Sequence, residues 1–169
     1  MQLILIRHGI AQDRKEFAEN TKLEDSFRPL TIKGRKKMQK IAVELKDWVP
    51  NIDLIVSSPY VRAKQTAEIV ARVFNQGHIK EASELVPHSP PNMFLQWLKA
   101  HGRSHQTIIA VGHEPQMSAL ASYLMTGKTE SVLMIKKSGL ACLQFGSWAD
   151  LEPGVAELVW LIQPRQIAG

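Results

Sequence analysis

At 169 residues the chain is long enough to bury a proper core without disulfide or metal staples, and it fits a single domain over 1–169. Hydrophobic residues make up 44% and charged residues 22%, ordinary for a water-soluble globular protein, and no stretch approaches the ~18 apolar residues of a membrane span. The net charge of +5 does not mark a nucleic-acid partner: seven of the 21 basic residues fall between Arg28 and Lys46, on the outer face of one helix, with no aromatic side chains interleaved for stacking.

The apolar run Leu3–Ile6 reads as a strand buried on both faces, and Arg7-His8-Gly9 stands at its carboxyl end. A fixed cation, an imidazole and a residue without a side chain suit the close approach of an anion there. The stretch from His8 to Phe27 is polar, with five acidic residues, and reads as a surface loop with room for a helical turn. Thr31 is the expected N-cap of the first long helix, whose buried stripe is Met38, Ile41, Ala42, Leu45, Trp48 and Val49. Pro50 ends it.

Asp53–Ser57 is the second strand. Ser58 reads as an N-cap before Pro59 at a first helical position, rather than as a substrate contact. The helix that follows buries Ala63, Ala67, Val70, Ala71 and Phe74, with Arg62 in its first turn off that stripe. Residues 79 to 86 read as an edge strand and loop, and Asn92 opens a helix containing Phe94, Leu95, Trp97 and Leu98. Thr107–Val111 is a further buried strand, delivering Gly112-His113-Glu114-Pro115, with Pro115 in the first turn of a helix that turns Met117, Leu120, Ala121 and Leu124 inward.

Two strands are expected near 139–146 and 155–162, joined by a hairpin connection through the polar segment Trp148–Pro153 and Gly154. The single cysteine, Cys142, lies in an apolar run, reads as a buried small hydrophobe, and suits a reducing cytoplasm. The alternation of strands and helices predicts an α/β fold, a three-layer α/β/α sandwich on a mostly parallel mixed six-stranded sheet with one antiparallel strand.

Three strand ends thus carry Arg7 and His8, Arg62, and His113 toward one edge of the sheet. Such a cluster without an anion would be costly, and a phosphoryl group resolves the conflict. Arg28 is open between the same mouth and a solvated loop. Glu114 is open between orienting His113 and favouring a helix N-terminus. His78, His88, His101 and His105 read as surface residues, and no histidine spacing suggests a metal site.

Arg7-His8-Gly9, Arg28-Pro29-Leu30-Thr31 with Gly34, Ser57-Ser58-Pro59 followed by Arg62-Ala63 and Gln65-Thr66-Ala67, and Gly112-His113-Glu114-Pro115 together resemble the histidine phosphatase superfamily, the phosphoglycerate mutase-like enzymes. The short chain and the Arg-Pro-Leu-Thr segment look most like its SixA branch of phosphohistidine phosphatases. The resemblance implies His8 as a nucleophile that is transiently phosphorylated. It further implies Arg7, Arg62 and a protonated His113 as ligands of the phosphoryl oxygens, with no metal and no cofactor.

Ester-cleaving members of the superfamily supply a carboxylic acid after the second long helix, where this chain has Glu81 and Glu84. The SixA branch works without one, because an imidazole leaves phosphorus far more readily than an alkoxide. The expected function is therefore removal of phosphate from phosphohistidine on a signalling or phosphotransfer protein, by a cytoplasmic monomer. The alternatives are a phosphomonoesterase for a small metabolite using Glu84 as general acid, and a non-catalytic phosphoprotein-binding module, against which the intact His8 argues.

Overall fold

The computed structural model describes residues 1–167. Among them six strands form one sheet: β1 (Gln2–Arg7), β2 (Leu54–Ser57), β3 (Ile79–Glu81), β4 (Thr107–Gly112), β5 (Leu140–Gln144) and β6 (Glu157–Ile162). Their order is β3-β2-β4-β1-β5-β6, and β5 alone runs antiparallel to its neighbours. This is the mixed, mostly parallel α/β sheet that the alternation of elements predicts.

Both faces of the sheet are covered, so the central strands are apolar on both sides. Leu3 and Leu5 of β1 join Ile108 and Ala110 under helices α4 (Pro91–His101) and α5 (Gln116–Thr126). Ile4 and Ile6 join Ile109 and Val111 under α2 (Ile32–Trp48) and α3 (Val61–Phe74). The four β1 side chains are fully buried, worth about 2 kcal/mol each against exposure. Cys142 lies in the second of these clusters, and burial pushes its thiol up to about 11.

The chain leaves β1 toward the face carrying α2 and leaves the neighbouring β4 toward the opposite face carrying α5. That divergence opens a crevice at the carboxyl ends of β1 and β4, where α/β sheets hold ligands. The start of α2 is pinned into this edge. Thr31 Oγ1 accepts from the Gly34 N–H at 2.9 Å, as its expected N-cap role requires, and the Thr31 N–H donates to the Ile10 carbonyl at 2.9 Å. A Cβ on Gly34 would stand 2.1 Å from the Ile10 oxygen, so only glycine lets the helix approach this closely.

Several local expectations differ from the structure. The polar stretch after His8 holds more than a turn: α1 (Arg14–Thr21) is capped by Asp13, and a 3-10 turn spans Asp25–Phe27. Trp48, expected in the α2 stripe, is 43% exposed and meets Trp160 edge-on, because the helix ends there at the margin of the sheet. The connection between β5 and β6 is the expected hairpin connection, since the two strands pair antiparallel, but it is not wholly polar: Trp148 and Leu151 are buried among the residues under α4 and α5. Helix α3 begins at Val61 rather than Pro59, α4 begins at Pro91, and Pro115 precedes α5 rather than lying in its first turn. A closing short helix, α6, spans Pro164–Ile167.

Candidate active site

The crevice is a cavity of about 800 Å³ whose lining includes Arg7, His8, Arg28, Arg62 and His113. Each arrives from a different part of the sheet edge. Arg7 ends β1 in register with Gly112, the His8 N–H donates to the Gly112 carbonyl at 3.0 Å, and Arg62 lies in the first turn of α3. Arg7 with His8, Arg62 and His113, three stretches far apart in sequence, therefore meet because β2, β4 and β1 are consecutive in the sheet.

His8 is 5% exposed, and its ring lies 5.0 Å from that of His113. His8 Nδ1 is 2.7 Å from the Gly9 carbonyl, which can only accept, so Nδ1 carries the proton. Nε2 then holds the lone pair, and it accepts from Arg62 Nε at 3.3 Å. Burial, joined by the Arg62, Arg7 and Arg28 charges, pushes the imidazole down to about 3, although the Gly9 contact opposes this. Next to it, the Gly9 N–H donates to Thr66 Oγ1 at 3.0 Å, and the Thr66 hydroxyl donates to the Arg62 carbonyl at 2.7 Å. The Leu30 N–H donates to Gln65 Oε1 at 2.8 Å, so the Gln65-Thr66 pair of α3 ties both site loops to one helix.

His113, expected to be protonated where it binds a phosphoryl group, is in the other state in the protein alone. Burial first, then His8 and the three arginines, push it down to about 2, so it is neutral at pH 7. Its Nε2 shares a hydrogen bond with Ser58 Oγ at 2.8 Å, while Nδ1 is buried without a partner. Ser58 is accordingly no helix cap. Its own N–H continues the sheet toward the Val111 carbonyl, which delays α3 and leaves the hydroxyl beside His113. Tyr60 packs edge-on against His113 at 4.9 Å and beneath the Arg62 guanidinium at 5.0 Å.

Arg28 reaches the cavity, but its Nε donates to Asp25 Oδ1 at 2.8 Å and its NH1 to the Gln12 carbonyl at 2.7 Å. Asp25 is the site residue that sequence reasoning missed. Its Oδ2 accepts from Arg62 NH2 at 2.9 Å, its main-chain oxygen from Arg62 NH1 at 2.7 Å, and its Oδ1 also from Arg14 Nε at 3.1 Å. Burial works against ionisation of this carboxyl, and the surrounding Arg28, Arg62 and Arg14 overcome it, so Asp25 lies below the usual carboxylate range. His88 is exposed, as expected of a surface residue, and it lines the cavity together with Lys137.

Glu84 does not line the cavity. It stands in a 3-10 turn, with its carboxylate beside the Ser83 hydroxyl, and Glu81 pairs with Lys64 at 2.6 Å. Glu114 takes the helix role of its two open readings. It accepts from the Ser118 hydroxyl at 2.5 Å and the Ile135 N–H at 3.3 Å, fastening the loop whose Ile135 carbonyl accepts from Arg7 NH1 at 3.0 Å. Among the described residues, no group of three or more His, Cys, Asp or Glu side chains could hold a metal ion, and no helix is long and apolar enough to cross a membrane.

The sheet order and this histidine–arginine crevice define an α/β protein whose site suits a phosphoryl oxyanion. The chain belongs to the histidine phosphatase superfamily, branch 1, whose family model matches residues 3–85, and within it the chain is SixA-like. It is 34% identical over 166 residues to an uncharacterised protein of Picosynechococcus sp., covering 98% of each chain. It is 29% identical to the phosphohistidine phosphatase SixA of Escherichia coli K12, over 76% of this chain and 77% of that one. A solved structure of the protein histidine phosphatase SixA complexed with tungstate superposes with a TM-score of 0.83 at 26% identity, covering 98% of this chain and 99% of the other. The fold extends to the alpha-ribazole phosphatase of Shigella flexneri, with a TM-score of 0.71 at 21% identity over 97% of each chain.

Proposed function

We propose that this chain hydrolyses phosphohistidine on a phosphorelay or phosphotransfer protein through a phosphorylated His8, without a metal. His8 Nε2, its lone pair kept by the Nδ1–H contact to the Gly9 carbonyl, attacks phosphorus in line. A P–N bond to His8 forms as the P–N bond to the substrate imidazole breaks, and the departing ring takes up a proton from solvent. Water then attacks the phosphoenzyme, releasing inorganic phosphate and returning His8 to its starting form. Arg7 and Arg62 offer planar donor forks to the equatorial oxygens, where phosphoryl transfer most needs charge neutralised. A phosphoryl dianion among these cations favours a protonated His113 as a further donor, reversing the like-charge repulsion that keeps it neutral in the protein alone.

The observation that carries the choice of substrate is the state of the carboxyl groups around the cavity. Its carboxylates are Asp13, Asp25 and Glu114. Asp13 accepts from two backbone N–H groups of α1, and those bonds hold it below its ordinary value. Asp25 is held ionised by three arginines, and Glu114 accepts from Ser118 and Ile135. Asp13 and Asp25 are held ionised and the Glu114 oxygens are taken up by those donors, so an alkoxide would depart without the roughly 10²–10⁴-fold help that general-acid catalysis supplies. An imidazole needs none. Tungstate, present in the SixA structure, is a tetrahedral oxyanion of the kind this crevice suits.

The test compares a histidine-phosphorylated protein with an alkyl phosphate such as glycerol phosphate. Expected are a kcat/KM ratio of roughly 10² or more for the P–N substrate, and an acid-labile phosphoenzyme lost in His8→Ala. Equal rates on the two substrates, or loss of activity in Glu84→Gln, would reject the reading.

A further inference from the structure

Helix α2 is charged against its own dipole. Between Ile32 and Ile41 it carries Lys33, Arg35, Lys36, Lys37 and Lys40, and its first turn has no acidic residue. Backbone N–H groups make a helix N-terminus partially positive, so cations there are repelled. Lys33, Lys36, Lys37 and Lys40 also follow i, i+3, i+4, i+7, which stacks them on one face where like charges repel again. By contrast α1, which precedes it, has Asp13 as its cap and Glu16 in its first turn.

No close ion pair among the described residues offsets this arrangement. Among the described residues none of the four ammonium groups has a carboxylate oxygen within 4.0 Å, while Lys15, Lys64 and Lys99 are all paired. With Ile32 the four lysines line a surface depression of about 470 Å³. Ile32 is 75% exposed, the most open large apolar side chain among the described residues. The stripe begins at the active-site edge, since Thr31 bonds to Ile10, two residues beyond His8, and Arg28 lines the cavity. From Lys33 to Lys40 it extends roughly 10 Å down the flank.

We infer that this stripe is the docking surface for an acidic face of the phosphoprotein substrate; the inference rests on the proposed function above. Carboxylates on the partner would supply the charge that the helix lacks, and an apolar contact among them would cover Ile32. The same charges would steer encounter and orient the phosphohistidine toward the mouth. The pattern does not suit a nucleic acid, because no aromatic side chain stands among the lysines to stack a base.

The experiment uses K33E/K36Q/K37Q/K40Q and two substrates, a histidine-phosphorylated phosphotransfer domain of acidic pI and a short phosphohistidine peptide without acidic residues. At low salt the variant should lose roughly tenfold or more in kcat/KM on the domain and stay within about twofold on the peptide. The wild-type rate on the domain should fall steeply with added salt and that of the variant should not. The Tm of the variant should hold or rise, because repulsion is relieved, which separates lost docking from lost folding. Unchanged rates on the domain, or equal losses on both substrates, would overturn the inference while leaving the phosphatase reading intact. If the wild type hydrolyses neither substrate, that reading fails and the docking surface falls with it. Lysine-dependent binding of RNA or anionic vesicles, with no effect on the domain, would also overturn it.

Discussion

Acidification should destabilise this protein through two imidazoles, by an amount the site makes calculable. An unfolded histidine titrates near 6.5, whereas His8 and His113 are pushed down to about 3 and about 2. Between those limits the unfolded chain binds protons that the native protein does not, so stability is fully present above the unfolded value and is lost as pH falls below it. From pH 7 to pH 5 the loss is roughly 2 kcal/mol per imidazole, and about 4 kcal/mol for the pair. That corresponds to a fall in Tm of roughly 8–16 °C for a chain of this length. Urea denaturation at each pH half-unit, in a buffer without phosphate, should show this slope. His8→Asn and His113→Asn should each remove about half of it, and the double variant nearly all. Adding tungstate should stabilise the wild type by mass action and flatten the slope, since an oxyanion permits protonation of the cluster. Parallel curves for wild type and double variant would refute the claim that the site holds both rings neutral.

Asp25→Ala should free Arg62 NH2 while NH1 stays on the main-chain oxygen of residue 25, lowering kcat on phosphohistidine more than it raises KM. It should cost about 1–2 kcal/mol of stability, because Asp25 is partly solvated. Arg62→Lys keeps the charge but not the fork, and should lower kcat/KM by roughly 10²–10³, read by steady-state kinetics. Gly34→Ala forces a Cβ to 2.1 Å from the Ile10 oxygen and should cost about 2–4 kcal/mol in urea denaturation. Cys142, with its thiol raised to about 11, should resist iodoacetamide at pH 8 in the native protein and react at once in denaturant.

How much of this was legible depended on whether a residue's role is local or reciprocal. The central strands were legible because burial on both faces leaves an uninterrupted apolar run, as in Leu3–Ile6 and Ile108–Val111. Thr31 was legible because a cap is a contact three residues away. Ser58 was misread for the complementary reason: its hydroxyl answers His113, 55 positions on, and serine before proline looks the same either way. Asp25 stood among five acidic residues with no periodicity to single it out, and its partner Arg62 lies 37 positions later. Trp148 and Leu151 looked like parts of a polar turn because their neighbours are polar, yet two apolar anchors suffice to fold that segment into the core. The family motifs drew the arginines and histidines to one edge. They did not reveal that Glu84 would stand in a short 3-10 turn off the cavity.

Asp25 also explains how the fold tolerates its own active site. Arg7, Arg28 and Arg62 cannot lose their charge, and two protonated imidazoles would bring the cluster to five cations around one crevice. The protein relieves this in two ways: it leaves both imidazoles neutral, and it places one carboxylate outside the ring, on NH2 of Arg62 and the Nε of Arg28. Asp25 makes no hydrogen bond to His8, Arg7 or His113, so it does not occupy the side of Arg62 where Nε meets His8 Nε2. A carboxylate on that inner side would compete with a phosphoryl group; on the outer side it fixes the guanidinium and leaves the Nε edge directed at the nucleophile. The same placement keeps the field at His8 positive, which holds Nε2 unprotonated and ready to attack. Neutralising Asp25 should therefore loosen Arg62 without making His8 a better base, and an Asp25→Asn enzyme whose pH–rate profile shifts to higher pH would show that this division of roles is wrong.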